Sequence, residues 1–328
     1  MPLFTEWSRA MGLDAPIVNA PMGGVAGGAL AAAVSRAGGL GMIGVGSAGS
    51  IVQLHAHLHD VGGLGRPFGI GLLGWAIAAE PQLLSSALAA QPTLLSVSFG
   101  DDWAWVRHAQ DEGIVAATQV GDLRSALRAV EAGVDVVIAR GCEGGGHGEP
   151  RVGTLPLLTA VLDEVSVPVL AAGGISSGRG LAAILAAGAS GAWLGTAFSA
   201  CTESMLPDAT RQALLAAEDT DTVISRVFDV ALGYPWPAHQ PERVLRNGFT
   251  DRWDGGEVRL AADVAAHEAL AAAIAANDHR LAPVNAGQGV AALNAVRPVG
   301  ELIDQMCADA SGLLSRWATP GNVWTPYI

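Results

Sequence analysis

The sequence contains no lysine, because all 18 of its basic residues are arginines. This absence excludes a Schiff-base enzyme, a pyridoxal-phosphate enzyme and a Walker-type phosphate loop, since each of these requires an amine. Basic residues are also outnumbered, and 31 acidic residues give the chain a formal net charge of −13. This negative charge argues against nucleic-acid and membrane partners and favours a small-molecule substrate.

Cysteine is scarce, and long apolar runs are missing. The three cysteines, Cys142, Cys201 and Cys307, are too few and too scattered for a disulfide framework or a zinc knuckle. No apolar run reaches the ~20 residues of a membrane helix without glycine-rich breaks, and the first residues do not resemble a signal peptide. We therefore expect a cytoplasmic protein without a metal site, and homo-oligomerisation stays open.

Apolar runs alternate with helical segments along the first 200 residues. The runs are continuous rather than alternating, which is typical of strands that are buried on both faces of a parallel sheet. Eight strand–helix units predict a (β/α)8 (TIM) barrel, and a doubly wound open sheet is the alternative. The predicted strands are residues 16–20, 40–45, 68–73, 93–99, 113–120, 134–139, 168–172 and 191–198.

The pattern changes after the eighth strand. We expect residues 1–204 to form the α/β barrel core and residues 205–283 to form a mostly helical lid, or substrate subdomain, inserted after that strand. Residues 284–328 are predicted to return to the barrel, with one helix over 288–308.

A glycine-rich loop follows the sixth predicted strand, in the sequence VDVVIARGCEGGGHGE over residues 134–149. Parallel α/β proteins build their sites at the carboxyl ends of such strands. Three glycines, Gly144, Gly145 and Gly146, let a flat ligand lie against bare backbone. His147 is therefore the candidate catalytic residue, and the alternative is a flexible loop with an exposed histidine.

Two further glycine loops follow the seventh and eighth strands. In barrels these loops hold a phosphate, and backbone N–H groups and a helix dipole supply the positive field without a lysine. The alternative is a pair of ordinary turns. A phosphate here and bare glycines at Gly23 and Gly24 predict a planar phosphorylated cofactor, which FMN matches. No GxGxxG fingerprint indicates a dinucleotide site. The candidate phosphate-loop residues are Gly173, Gly174, Gly195 and Thr196.

Four motifs occur in a familiar order: NAPMGG at 19–24, EGGGHG at 143–148, AAGGI at 171–175 and LGT at 194–196. With them, the chain resembles the nitronate monooxygenase (2-nitropropane dioxygenase) family of FMN-dependent barrels. Flavin-dependent enoyl-thioester reductases and NADH:quinone reductases share the same scaffold. The resemblance covers most of the chain, including RVLRNGF at 243–249, which looks like part of the lid.

The resemblance implies a role for individual residues. Met22 and Gly23 would lie against the isoalloxazine ring, Gly145 would approach it, and His147 would face the substrate. Gly174 would donate its N–H to the phosphate. Gly195 and Thr196 would close the phosphate site, and Leu194 is a further candidate contact of the cofactor.

The sequence also departs from the family pattern. Family members often carry asparagine at the position of Gly71 and glutamine at the positions of Arg140 and Trp193. Arg140 could stabilise negative charge on a reduced flavin, and the alternative is a salt bridge with Glu143 or Glu149. Gln119, at the end of the fifth strand, is a further candidate contact of the flavin.

The resemblance implies oxidation of alkyl nitronates, and of nitroalkanes, by O2 to carbonyl compounds and nitrite. His147 would contact the nitro oxygens or abstract the α proton of a neutral nitroalkane. One alternative is an NAD(P)H-dependent FMN reductase that acts on quinones or enoyl thioesters. Another is a barrel that binds a phosphorylated ligand without catalysis.

Other chemistry-bearing residues have ordinary explanations. The run HAHLH, with His55, His57 and His59, would converge on a metal only as a strand, and its surroundings predict a solvated helix. Cys142 is expected to be a buried bystander rather than a nucleophile. Trp236 and Trp253 line a substrate pocket or fill the core of the lid.

Overall fold

The structure is a computed structural model that describes residues 3–318. Its strands are β1 Ile17–Asn19, β2 Gly41–Gly44, β3 Phe68–Leu73, β4 Leu94–Ser98, β5 Val115–Val120, β6 Val136–Arg140, β7 Gly146–His147, β8 Val169–Ala172, β9 Gly191–Leu194, β10 Thr222–Ser225 and β11 Glu242–Leu245.

The helices alternate with the strands in the first part of the chain and dominate the second. In chain order they are α1 Glu6–Ala10, α2 Gly28–Arg36, α3 Ile51–Val61, α4 Gly74–Ala79, α5 Gln82–Ala89, α6 Ala104–Asp111, α7 Leu123–Glu131, α8 Thr154–Glu164, α9 Gly178–Ala186, α10 Thr196–Ser199, α11 Asp208–Ala216, α12 Val227–Leu232, α13 Gly248–Trp253, α14 Glu257–Leu260, α15 Val264–Ala275 and α16 Val299–Ala318, with a 3₁₀ helix at Gln288–Ala292.

Eight parallel strands form a nearly closed barrel, with the order β1-β9-β8-β6-β5-β4-β3-β2. The two ends of this sheet meet through a parallel bridge between Val18 and Leu40. Neighbouring strands pair in parallel throughout, and helices connect them. The predicted (β/α)8 barrel is therefore confirmed, and the open sheet is wrong.

The seam between β1 and β2 is held by a buried asparagine. Asn19, with 0% of its surface exposed, donates from Nδ2 to the carbonyl of Met42 at 2.9 Å. Its Oδ1 accepts the N–H of Met42 at 2.7 Å. The side chain thus supplies the paired hydrogen bonds that a backbone ladder would make, in a place where water cannot replace them.

Two apolar layers explain why the barrel strands read as continuous apolar runs. Successive side chains of a strand point to opposite faces. One set fills the barrel interior, and the other packs against the surrounding helices. The inner set includes Val18, Met42, Leu94, Ile138, Leu170 and Trp193, and the outer set includes Ile17, Ile43, Leu95, Val137 and Leu194.

The segment between β9 and the C-terminal region is mostly helical, but it also contributes two strands. β10 and β11 pair antiparallel, and β11 continues the pairing to β7, which belongs to the glycine-rich loop of the barrel. Trp253 lies in a separate apolar cluster of this lid, with Phe228 and Phe249. The lid therefore joins the barrel through the loop that carries His147. The exact domain boundaries stay a prediction.

The predicted single helix over 288–308 is wrong. The chain forms a short 3₁₀ helix there and then runs irregularly, and α16 begins directly after Pro298. Proline lacks the N–H of a helix interior but suits the start of one, which explains the break. α16 packs against α9 and α2. Residues 319–328 of the predicted C-terminal segment lie outside the described part of the chain.

None of the helices among residues 3–318 combines the length and the apolar character that a membrane span requires.

Replacement of Asn19 by alanine should weaken the seam of the barrel. The backbone N–H and C=O of Met42 would lose their partners in a buried position. We expect the free energy of unfolding to fall by about 2–4 kcal/mol in urea titrations. Asn294→Ala, at an exposed position, serves as the control and should change it by less than about 0.5 kcal/mol. Equal stability of both variants would contradict a role for Asn19 in barrel closure.

Candidate active site

A cavity of about 640 Å³ opens at the carboxyl ends of the barrel strands and extends beneath the lid. Its volume lies within the range of about 300–1,000 Å³ that is usual for small-molecule sites. All but one of the predicted site residues line it: Met22, Gly23, Gly71, Gln119, Arg140, Gly145, His147, Gly173, Gly174, Trp193, Gly195 and Thr196.

Leu194 is the exception. Its side chain is buried in the layer between the barrel and its helices, whereas that of the preceding Trp193 points inward. The alternation of a strand explains the difference. The carbonyl of Leu194 accepts the N–H of Ala20 at 2.7 Å and so positions the neighbouring glycine loop. A contact between its side chain and a cofactor in the cavity is therefore wrong.

The loop after β8 has the backbone of an anion-binding turn. Gly173 and Gly174 both have positive φ angles, of 110° and 67°. The N–H of Gly174 makes no hydrogen bond with any residue among 3–318 and borders the cavity. Thr196, across the cavity, accepts the N–H of Gly287 on its hydroxyl at 2.9 Å. Unused backbone donors at this end suit a phosphate group without any lysine.

Two other predicted glycines are required by close packing. A Cβ atom at Gly71 would collide with the ring of Pro21, and one at Gly23 would collide with the backbone of Gly46. At Gly145, a Cβ would lie 2.7 Å from the backbone of Ala286. The bare backbone of these loops therefore serves the packing of the rim as well as access to a ligand.

Arg140, the last residue of β6, organises the glycine-rich loop. Its Nη2 donates to the carbonyls of Gly144, Gly145 and Gly146 at 2.6, 3.2 and 2.9 Å. The guanidinium is 5% exposed, and Gly144 and Gly148 pack against it so closely that a Cβ at either position would collide. A planar group with several fixed donors suits this task.

The alternative of a salt bridge from Arg140 is wrong, because no carboxylate among residues 3–318 pairs with it. Glu143 instead accepts the N–H and the hydroxyl of Thr154, and Glu149 lies beside His239. Burial, followed by the nearby charge of Arg243, lowers the pKa of Arg140 to about 10. The group stays charged at neutral pH and borders the cavity. Stabilisation of a reduced flavin by Arg140 stays a prediction.

His147 is held in one orientation by two residues of the lid. Its Nε2 lies 2.9 and 3.0 Å from the two carboxylate oxygens of Asp229, which is buried. The indole of Trp236 stacks on the imidazole, with ring centroids 3.6 Å apart and planes 5° apart. Because a carboxylate only accepts, this geometry assigns a proton to Nε2. Nδ1, which has no partner among residues 3–318, is left as a proton acceptor.

Trp236 lies in the cavity, whereas Trp253 lies in the core of the lid. Phe99 and Trp75 contact the indole of Trp236 edge-on, with centroids at 4.8 and 5.6 Å. The indole N–H donates to the hydroxyl of Ser47 at 3.0 Å. Trp236 therefore lines the cavity and Trp253 fills the core of the lid, so the two alternatives that the sequence left open apply to different residues. The wall beside His147 is aromatic and firmly packed.

The sequence motifs did not indicate the acidic partners of His147. One carboxylate oxygen of Asp229, one of Glu242 and one ring nitrogen of His147 all lie within 4.8 Å of one another. These three atoms are close enough to share a proton or a cation. The signal for Asp229 was a lone acid within an apolar helix, VFDVAL, because a buried charge requires a partner. Glu242 gave no comparable signal before β11 was paired with β7.

The remaining candidates are Cys142 and the three histidines of α3. Burial and the neighbouring Glu143 raise the pKa of the Cys142 thiol, which disfavours a thiolate nucleophile. The run with His55, His57 and His59 lies on α3, as predicted. His57 reaches the edge of the cavity, and the other two are exposed. Within the described part of the chain, these three histidines do not converge on a metal site.

The fold and the site together define a barrel enzyme with the imidazole of His147 in a glycine-lined cavity. The family model of nitronate monooxygenase matches residues 6–83 and 76–309. The chain belongs to the nitronate monooxygenase family, a family of flavin-dependent oxidoreductases. The predicted family and enzyme class are confirmed, and the predicted cofactor is confirmed at the level of a flavin.

Two curated relatives and one solved structure illustrate the range of the similarity. A nitronate monooxygenase of Pseudomonas aeruginosa is 32% identical over an alignment of 359 positions, gaps included. The alignment covers 94% of this chain and 99% of that protein. A dehydrogenase of Rhodococcus jostii, named for (3aS,4S,5R,7aS)-5-hydroxy-7a-methyl-1-oxo-octahydro-1H-indene-4-carboxyl-CoA, is 35% identical over 228 residues. That match covers 69% of this chain and 64% of the dehydrogenase. FabK from Thermotoga maritima superposes with a TM-score of 0.83 and 28% identity, covering 96% of this chain and 99% of FabK.

Replacement of Arg140 by lysine should loosen the glycine-rich loop, because one ammonium on a flexible stem cannot hold three carbonyls as the guanidinium does. We expect the free energy of unfolding to fall by about 1–3 kcal/mol, together with weaker retention of the flavin. Urea titration and ultrafiltration measure the two effects. The control is Arg107→Lys, at a side chain that is 81% exposed. A variant as stable and as flavin-rich as the control would contradict this role.

Proposed function

We propose that this protein uses FMN to oxidise alkyl nitronates, and nitroalkanes, with O2, giving carbonyl compounds and nitrite. The observation that carries the proposal is the fixed imidazole of His147. It lies between Asp229 and Trp236 and borders a cavity whose rim is bare glycine backbone. Membership in the nitronate monooxygenase family supports the same activity.

FMN suits the cavity better than a dinucleotide does. The unused backbone N–H of Gly174 borders the cavity, as Thr196 does, and such a donor suits a phosphate. Met22, Gly23 and Gly145 line the remainder of the cavity and would lie along the ring system. When bound, FMN supplies the redox chemistry, since it accepts electrons from the substrate and returns them to O2.

His147 provides the acid–base chemistry. An alkyl nitronate is already an anion, so no base is needed, and His147 in its imidazolium form would donate a hydrogen bond from Nδ1 to the nitronate oxygens. With a neutral nitroalkane, Nδ1 of His147 would instead accept the α proton. Asp229, which accepts from Nε2, would then stabilise the imidazolium that forms, as a carboxylate does in a catalytic triad.

Apolar side chains of the lid and of the barrel rim would receive the alkyl group. Phe99, Phe228, Leu232 and Trp236 border the cavity on the side of His147. These residues also exclude water, which strengthens the interaction of the imidazole with an anionic substrate.

The second candidate is an NAD(P)H-dependent flavin reductase that acts on enoyl thioesters or quinones. The similarity to FabK over nearly the whole chain, and to a dehydrogenase named for a CoA thioester, favours this alternative. Both functions use the same cofactor cavity, so they differ in what reduces the flavin.

One set of measurements on the purified protein separates the candidates. A flavin spectrum, O2 uptake and nitrite release with an alkyl nitronate are expected for the proposed function. Rapid anaerobic reduction by NADH in a stopped-flow instrument, without turnover of nitronates, would favour the reductase. A colourless protein that does not take up FMN would contradict both and favour a non-catalytic barrel.

His147→Ala should affect two substrates differently. Loss of the base should lower the rate with a neutral nitroalkane by about 10²–10⁴-fold, because proton abstraction then depends on water. The rate with the corresponding nitronate should fall by less than about tenfold, since that substrate needs no base. Steady-state nitrite release measures both, and His55→Ala, at an exposed site on α3, is the control. Equal losses with the two substrates would rule out the base role.

A further inference from the structure

Glu242 is a buried acid that the reaction outlined above does not use. It is the first residue of β11 and lies directly opposite His147 in the antiparallel pairing of β11 with β7. Only 4% of its surface is exposed, and it borders the cavity. Its carboxyl makes no hydrogen bond or salt bridge with any residue among 3–318. It is therefore free to interact with whatever occupies the cavity.

The residues around Glu242 do not supply a positive charge that would neutralise a Glu242 carboxylate in addition to that of Asp229. The carboxyls of Glu242 and Asp229 and the imidazole of His147 lie in a group 4.8 Å across or less. The imidazole, the one basic group in this cluster, is already bound by Asp229 through both carboxylate oxygens. Tyr234, which also borders the cavity, supplies no positive charge.

The arginines of this region, Arg140, Arg226 and Arg243, make no salt bridge with Glu242. Arg226 follows Ser225, the residue that pairs with Glu242 across β10 and β11. Arg243, beside Glu242 in the chain, donates to the carbonyl of Cys142 at 2.9 Å and to the hydroxyl of Thr222 at 3.0 Å. Arg140 donates to the carbonyls of the glycine-rich loop. Two carboxylates so close together in a buried wall cannot both be charged without a cation. Since Asp229 has the imidazole, the proton belongs on Glu242.

The electrostatics agree with this assignment. Burial, and then the negative charge of Asp229, raises the pKa of Glu242 well above its ordinary value. A neutral carboxylic acid has an O–H donor, whereas a carboxylate only accepts.

We propose that Glu242 is a neutral carboxylic acid that donates a hydrogen bond to an oxygen of the substrate held against His147. The identity of that substrate rests on the proposed function. A nitronate is an anion, so two carboxylates would repel it, whereas a neutral carboxylic acid would donate a hydrogen bond to it. A neutral Glu242 would thus allow an anionic substrate to bind beside the second acid of the site, Asp229.

The protonation of Glu242 can be measured without any substrate. In flavin-loaded protein labelled with ¹³C at the glutamate side-chain carboxyl, the Glu242 resonance is the one that disappears in Glu242→Gln. We expect it to stay in the protonated form at pH 7. In Asp229→Asn, loss of the like charge should move its titration midpoint to lower pH. A Glu242 resonance that is already ionised at pH 7 in the wild type would overturn the proposal.

Kinetics test the hydrogen bond itself. Glu242→Leu, which removes the donor, should lower kcat/KM for an alkyl nitronate by about 10- to 100-fold, as expected for a hydrogen bond to a charged group. Glu242→Gln, which keeps a neutral donor of the same size, should lose less than about tenfold. Glu131→Gln, at an exposed position of α7, is the matched control.

Two kinetic outcomes would overturn the proposal. Equal losses in Glu242→Gln and Glu242→Leu would mean that a carboxylate is required, and a Glu242→Leu enzyme as active as the control would mean that no hydrogen bond is made. If the wild type does not oxidise nitronates, the proposed function fails, but the protonation of Glu242 is still decided by the resonance experiment on the same protein.

Discussion

The hydrogen bonds from Arg140 to three consecutive carbonyls are the interaction on which the rest of the site depends. A run of glycines has the greatest conformational freedom of any sequence and no side chains of its own to fix it. The buried guanidinium donates to the carbonyls of Gly144, Gly145 and Gly146 and forms no salt bridge within the described residues 3–318. These hydrogen bonds fix a segment that would otherwise be flexible as part of the cavity wall. The fixed loop in turn positions the next residue, His147.

The same loop connects the barrel to its lid. Gly146 and His147 pair with β11, and the residues that orient the imidazole, Asp229 and Trp236, both belong to the lid. The imidazole therefore comes from the barrel, and its carboxylate and its aromatic cover come from the inserted segment. The site is complete only when the two parts are packed together, so the lid is part of the chemistry as well as a cover.

The distribution of charge matches the composition of the chain. A protein without lysine offers an unused backbone N–H at Gly174, on the rim of its cavity. Elsewhere on the rim, the acids Asp229 and Glu242 lie beside the imidazole of His147. An anion in this cavity would therefore meet backbone dipoles, an imidazole and the guanidinium of Arg140 rather than a lysine ammonium.

The sequence by itself determined the barrel, the glycine loops and the position of His147, because each of these is written in consecutive residues: apolar runs, bare glycines and one histidine at a strand end. Only the tertiary structure decided which partners they have. Asp229 lies 82 residues from His147 in the chain, Arg140 binds carbonyls instead of an acid, and Leu194 points away from the cavity. Such pairings depend on how distant segments of the chain pack, and local sequence patterns do not predict that packing.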